Sequence, residues 1–245
     1  MSLPVRLDED YHVHSTFSGD AVSTLAQNVA AARERGLRTV CLAEHVRRET
    51  AAVPGFLAAV RALPPVPGLR VLAGVEAKIL DTRGRLDLPD LPPGVDLVLI
   101  ADHQFPGRDG PLPPSQVGAA LAGGVMTAAT AVEALVEATV AALRQAGPAL
   151  IAHLFSVLPK VGLAESAVPA HLLGLLASAA RQAGALVEVN ERWGCPSART
   201  LASFAAAGVP LVASTDSHDC TDVGSYPRVR EIVGAARIAG PAGRR

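Results

Sequence analysis

Residues 207–218 read AGVPLVASTDSH. The stretch holds a helix stop, a short apolar run and a polar pair in immediate succession. Glycine just past a helix end is the usual stop residue. Val209 to Thr215 then has the apolar composition of a buried strand. Asp216 and His218 stand where that strand ends.

The same order recurs along the chain. Helix stops of the same kind occur at 35–37 (RGL), 146–148 (AGP) and 183–185 (AGA). Apolar runs cover 7–13, 39–43, 70–76, 96–101, 148–152, 185–190 and 209–215. Between them lie stretches of helical period at 22–35, 55–62, 115–122, 128–146, 170–183, 197–207 and 225–238. Alternation of this kind predicts parallel strands joined by helical crossovers. Seven strands in 245 residues suit a (βα)7 TIM-like α/β barrel; an open doubly wound sheet is the alternative that periodicity does not separate from it. The Pro/Gly-rich patches at 63–68 and 105–114 read as surface loops. No composition shift marks a linker, so residues 1–245 are expected to form a single barrel domain.

Composition narrows the function. Apolar residues make up 49% of the chain and aromatics 3%, so the core is Ala/Val/Leu packing. The formal charge is −1, from 22 basic and 23 acidic residues. No polybasic run precedes the terminal Arg244-Arg245 pair, which argues against long nucleic acid as the main ligand. A small anionic substrate remains open. Three cysteines without a CxxC pair (Cys41, Cys195 and Cys220) give no disulfide framework and suggest the cytoplasm. Nothing in the sequence reads as a secretory leader or a membrane span. It leaves the oligomeric state open.

Six of the seven histidines fall at the C-terminal end of a predicted strand: His12, His14, His45, His103, His153 and His218. Glu76 and Asp216 share that rim, where parallel α/β folds build their sites. Asp20 follows the first strand and is also suited to capping the next helix. Imidazole with carboxylate suits Zn, Mn or Fe. In H-x-H on a strand the period of 2 points both rings to one face, and Asp216-x-His218 repeats the device. Nine candidate ligands exceed the needs of one ion, so two or three divalent ions are expected. His171 opens a helix and reads as a packing or surface residue. Arg192, Arg47, Arg48, Lys78, Lys160 and Arg228 are rim cations suited to holding a phosphate, Arg192 first. Asn190 is placed to orient a ligand or water, Glu44 to support His45, and Trp193 to line a pocket or anchor its loop.

The ordered set HVH, S-x-x-S-G-D, AEH, GVE, DH, AHL and TDSH resembles the PHP superfamily, named for polymerase and histidinol phosphatase, and most of all its histidinol-phosphatase-like branch. The resemblance runs from His12 to His218. It implies a distorted seven-stranded barrel with a trinuclear site. One ion would take His12, His14, Glu76 and Asp216; a second Glu76, His103 and His153; a third Asp20, His45 and His218. Glu76, Asp216 and His218 would carry catalysis. The implied activity is phosphomonoester hydrolysis by a metal-bridging hydroxide, with ions about 3.5–4 Å apart, and histidinol phosphate is the leading substrate. The other readings are a phosphodiesterase or nuclease acting on nucleotides, an amidohydrolase-type metal hydrolase, and a non-catalytic metal-binding regulatory module. Glu76, where amidohydrolases carry a lysine carbamate, favours the phosphoester reading.

Overall fold

The computed structural model describes residues 5–238; residues 1–4 and 239–245, the Arg244-Arg245 pair among them, lie outside it. The elements are, in order, β1 (Glu9–Val13), α1 (Leu25–Glu34), β2 (Thr39–Val46), α2 (Val53–Arg61), β3 (Arg70–Lys78) and β4 (Leu97–Ala101). A hairpin of β5 (Phe105–Pro106) and β6 (Pro111–Leu112) follows, then α3 (Pro114–Ala122), α4 (Ala128–Ala146), β7 (Leu150–Ile151) and α5 (Val157–Lys160). The chain continues through α6 (Ala170–Ala183), β8 (Leu186–Asn190), α7 (Ala198–Ala206), β9 (Leu211–Ser214) and α8 (Pro227–Ile238).

The local chemistry explains the boundaries. Thr24 caps α1 and forms a capping box with Gln27, which starts that helix later than the pattern at 22–35 suggested. Thr127 and Ser197 cap α4 and α7 through their side chains. Caps of this kind contribute about 1 kcal/mol each. Gly184 ends α6 in the left-handed conformation at φ 67°, which glycine adopts without steric penalty.

Seven strands form one parallel sheet in the order β1-β2-β3-β4-β7-β8-β9. That order is sequential. An open doubly wound sheet would reverse direction partway, so this alternative is excluded. The ends of the sheet meet: Arg6 bridges Val212, Val13 bridges Ser217, and Asp216 N donates to His12 O at 2.8 Å. The result is a nearly closed barrel with helices outside. Its interior is filled by leucines interleaved with smaller side chains, among them Leu99 and Leu150 with Cys41, Ala43, Ala101 and Ala152. Gly74 belongs to this packing, because a Cβ there would lie 2.8 Å from Cys41 Sγ. A second layer packs the outer strand faces against the helices, with Leu135, Val136, Leu143, Leu176 and Phe204 fully buried.

Two expectations need correction. The run at 148–152 keeps only two strand residues, because the chain turns away at His153 (φ 27°) and Phe155 (φ 71°). The 105–114 patch is not all loop; it carries the β5–β6 hairpin, and Pro114 opens α3.

Candidate metal centre

All nine side chains with ligand character converge on one end of the barrel. Glu76, at the C-terminal end of β3 and 2% exposed, is the hub. Its Oε1 lies 2.8 Å from His153 Nε2 and 2.9 Å from His103 Nε2. Its Oε2 lies 2.7 Å from His45 Nδ1 and 3.5 Å from the Nε2 atoms of both His12 and His14. That oxygen is buried, and none of these neighbours gives it a hydrogen bond of acceptable geometry. An orphaned carboxylate oxygen at the focus of imidazole nitrogens fits a cation.

The flanking strands aim the remaining groups. His12 and His14 are fully buried, and their Nε2 atoms are 2.9 Å apart. The outer nitrogen of each ring is occupied: His12 Nδ1 by Glu188 Oε2 at 3.1 Å and His14 Nδ1 by Ser18 Oγ at 3.1 Å. Ser18 in turn donates to Glu44 Oε2 at 2.5 Å. Asp216 sits in the left-handed region at φ 55°, a conformation rare outside glycine and enriched where function demands it. It places Oδ1 3.4 Å from His14 Nε2. Asp20 lies 3.4 Å from both His45 Nε2 and His218 Nε2. Three overlapping donor groups result: His12 with His14 and Asp216, His14 with His45 and His218, and His45 with Glu76 and His103. His171 is exposed on α6, away from the cluster.

The electrostatics follow from burial against charge. Burial opposes ionisation of Glu76, but His103 and His12 outweigh it and hold its pKa well below the usual range. Burial lowers His12 and His153; the carboxylates around them win, raising His12 well above normal and His153 to about 10. His14 goes the other way, to about 3, because burial and the neighbouring imidazoles prevail over Asp216 and Glu76.

Several supporting groups escaped the sequence reading. Glu188, fully buried on β8, holds His12 and also accepts from His153 N at 2.5 Å. Asp102 Oδ1 stands 3.3 Å from His153 Nδ1 and accepts from Ser156 Oγ at 2.6 Å. A charged residue inside the apolar run LVEVN was the one available signal for Glu188.

The rim cations divide. Arg192 Nη1 donates to His218 Nδ1 at 2.8 Å. Lys160 Nζ lies 4.1 Å over the Trp193 ring, and Trp193 Nε1 donates to Asp216 Oδ2 at 2.9 Å. Arg228 Nη1 donates to Arg192 O at 2.8 Å and so holds the loop that carries Arg192. Lys78 pairs with Asp87 at 3.2 Å beside His45 and Glu76. Asn190 is a correction: it is buried, its amide donates to Glu188 Oε1 at 2.7 Å and accepts from Trp193 N at 2.9 Å. Both ends are taken within the barrel wall, so it braces Glu188 and the Trp193 loop and does not face a ligand. Glu44 supports the centre through Ser15 and Ser18. Burial raises its pKa to about 7, against the two serines and His45.

Residues 10–110 match the PHP domain family. A probable phosphatase of Vibrio vulnificus is 37% identical over 107 residues, 41% of this chain and 41% of that protein. A second, from Caldanaerobacter subterraneus, is 32% identical over 108 residues, again 41% of each. These matches thus span about two fifths of the length of the relatives. Over 93% of both chains, the fold is similar to the crystal structure of a histidinol phosphate phosphatase from Lactococcus lactis complexed with zinc, L-histidinol and phosphate, with a TM-score of 0.66 at 16% identity.

Proposed function

We propose that this chain, whose residues 10–110 match the PHP domain family, is a metal-dependent phosphoesterase that hydrolyses a small phosphomonoester. The observation that carries the reading is the buried, unpaired Oε2 of Glu76 within 3.5 Å of three histidines. Imidazoles and carboxylates in this mixture suit Zn, Mn or Fe. His12, His14, Glu76 and Asp216 would hold one cation, Glu76 with His103 and His153 a second, and Asp20 with His45 and His218 a third. Such cations, when bound, lower the pKa of a water towards neutrality and neutralise phosphoryl oxygens.

The chain's own residues do the rest. Glu188 and Ser18 take the outer nitrogens of His12 and His14, leaving the inner lone pairs for ligation. The Trp193 indole fixes Asp216. Arg192 and Lys160, exposed on the rim, attract the dianionic ester and orient it over the cluster. Among the described residues no helix is long and apolar enough to cross a membrane.

The direct test is to reconstitute the protein with Mn or Zn, measure metal per chain, and assay phosphomonoesters including histidinol phosphate, nucleotides and a generic diester. Monoester turnover with two or three ions per chain is the expected result. Wild-type turnover by Glu76→Ala or His12→Ala would refute the reading.

A further inference from the structure

The mouth of the centre divides into two lobes that meet at Asp20, His45 and His103. The smaller, about 270 Å³, lies towards β8 and β9 and contains Lys160, Arg192 and Trp193. The larger, about 600 Å³, runs outward between β2, β3 and β4, past Arg47, Thr50, Lys78 and Gln104. With the guanidinium and ammonium of the small lobe engaged by the phosphoryl group, the leaving group extends into the large one. This placement rests on the phosphoesterase reading.

The lining of the large lobe is specific in its chemistry. Val46 is its one hydrophobic side chain. Asp20 and Glu76, its two acids, belong to the ligand cluster. Lys78 follows Glu76 by two residues on β3 and therefore shares its face. Asp87 steadies the ammonium from one side at 3.2 Å and is itself tied to Arg48 N at 2.9 Å. An ammonium has three protons, so that pairing leaves donors for a ligand. Arg47 is exposed, and its loop is held by the Arg47 N to Thr50 Oγ1 bond at 2.8 Å. Outside the ligand cluster, two cations (Arg47 and Lys78) and three neutral polar residues (Ser18, Thr50 and Gln104) line a space whose surface is more polar than apolar.

We infer that the large lobe is a leaving-group subsite for an anionic, hydroxylated moiety: a carboxylate or second phosphate held by Lys78 and Arg47, on a short polyol skeleton whose hydroxyls meet Thr50 and Gln104. A cationic leaving group such as L-histidinol meets two like charges there and is disfavoured.

Matched phosphonates test this without turnover. The metal-loaded protein is titrated calorimetrically with alkylphosphonates of three to five carbons and with the same-length chains ending in a carboxylate. The carboxylates should bind about tenfold tighter at one length or more. Lys78→Met and Arg47→Ala should bring each pair to within about twofold. In turnover, fructose 1,6-bisphosphate should exceed fructose 6-phosphate in kcat/KM, and histidinol phosphate should fall below both. Equal binding of every pair, a preference that survives both substitutions, or histidinol phosphate as the best ester overturns the subsite. Tighter carboxylate binding with no ester cleaved upholds the subsite and overturns the hydrolase reading alone.

Discussion

The Nε2 atoms of His12 and His14 stand 2.9 Å apart, while Glu188 and Ser18 hold the opposite nitrogens. Two imidazole lone pairs at this separation require a cation between them, either a proton or a metal ion. Removing one of them should therefore unload the site. His14→Ala is expected to lose at least about one ion per chain and about 100-fold or more in kcat/KM. Elemental analysis of the purified variant measures the first quantity; unchanged metal content would show that His14 is not a ligand.

Metal uptake should be coupled to proton loss. Burial works against protonation of His12 and His153, yet their carboxylate neighbours raise His12 well above its ordinary value and His153 to about 10. Both are thus protonated near neutrality without metal, whereas His14, at about 3, is not. A cation must displace those two protons, so its apparent affinity rises with pH through the neutral range. Calorimetry in buffers of different ionisation enthalpy should register release of about two protons per chain, and buffer-independent heats would contradict this.

Glu188 braces two strands at once, through His12 Nδ1 and His153 N. Glu188→Gln should lower metal affinity by about 10- to 100-fold while leaving the far-ultraviolet circular dichroism unchanged. Competition against a chelator of known affinity gives the number, and wild-type retention of metal would argue for a purely structural Glu188.

Asp10 fastens the seam of the barrel. Fully buried, it accepts from His12 N, Thr215 N, Thr215 Oγ1 and Gly224 N. Asp10→Ala leaves those donors without their acceptor and should lower stability by about 3 kcal/mol or more, measurable by urea unfolding of the metal-free protein. Burial raises the Asp10 pKa from 3.8 to about 6, against these hydrogen bonds. Folding therefore favours the protonated carboxyl, and its stabilising contribution, full below pH 3.8, is lost as pH rises through about 6. The metal-free Asp10→Ala protein should also lose the wild-type slope of stability over that range, and an unchanged slope would assign it to another group.

Much of this architecture was legible in the sequence because two periodicities and a set of glycine stops coincide with polar residues. The helices over 128–146 and 170–183 have the bounds that pattern suggested. His12, His45, Glu76, His103 and Asp216 all announce themselves as polar residues closing apolar runs. What the pattern did not reveal depends on distant pairing. Glu188 meets its partner 176 residues away. Asp102 was overshadowed by the adjacent His103. Asn190, on the strand face of Arg192, read as a residue that orients a ligand or water, and only its bonds to Glu188 and Trp193 N show it engaged within the wall. Barrel closure was similarly invisible, since bridges such as Val13 to Ser217 leave no local mark.

That closure gives the cations a second consequence. His12 and His14 stand on one side of the β1–β9 seam, Asp216 and His218 on the other. An ion shared between them would tie off a loop of roughly 200 residues, as a long-range crosslink does, and would remove chain entropy from the unfolded state. All three cysteines are free thiols. The crosslink in this protein would therefore be one that chelators cut and reductants leave intact.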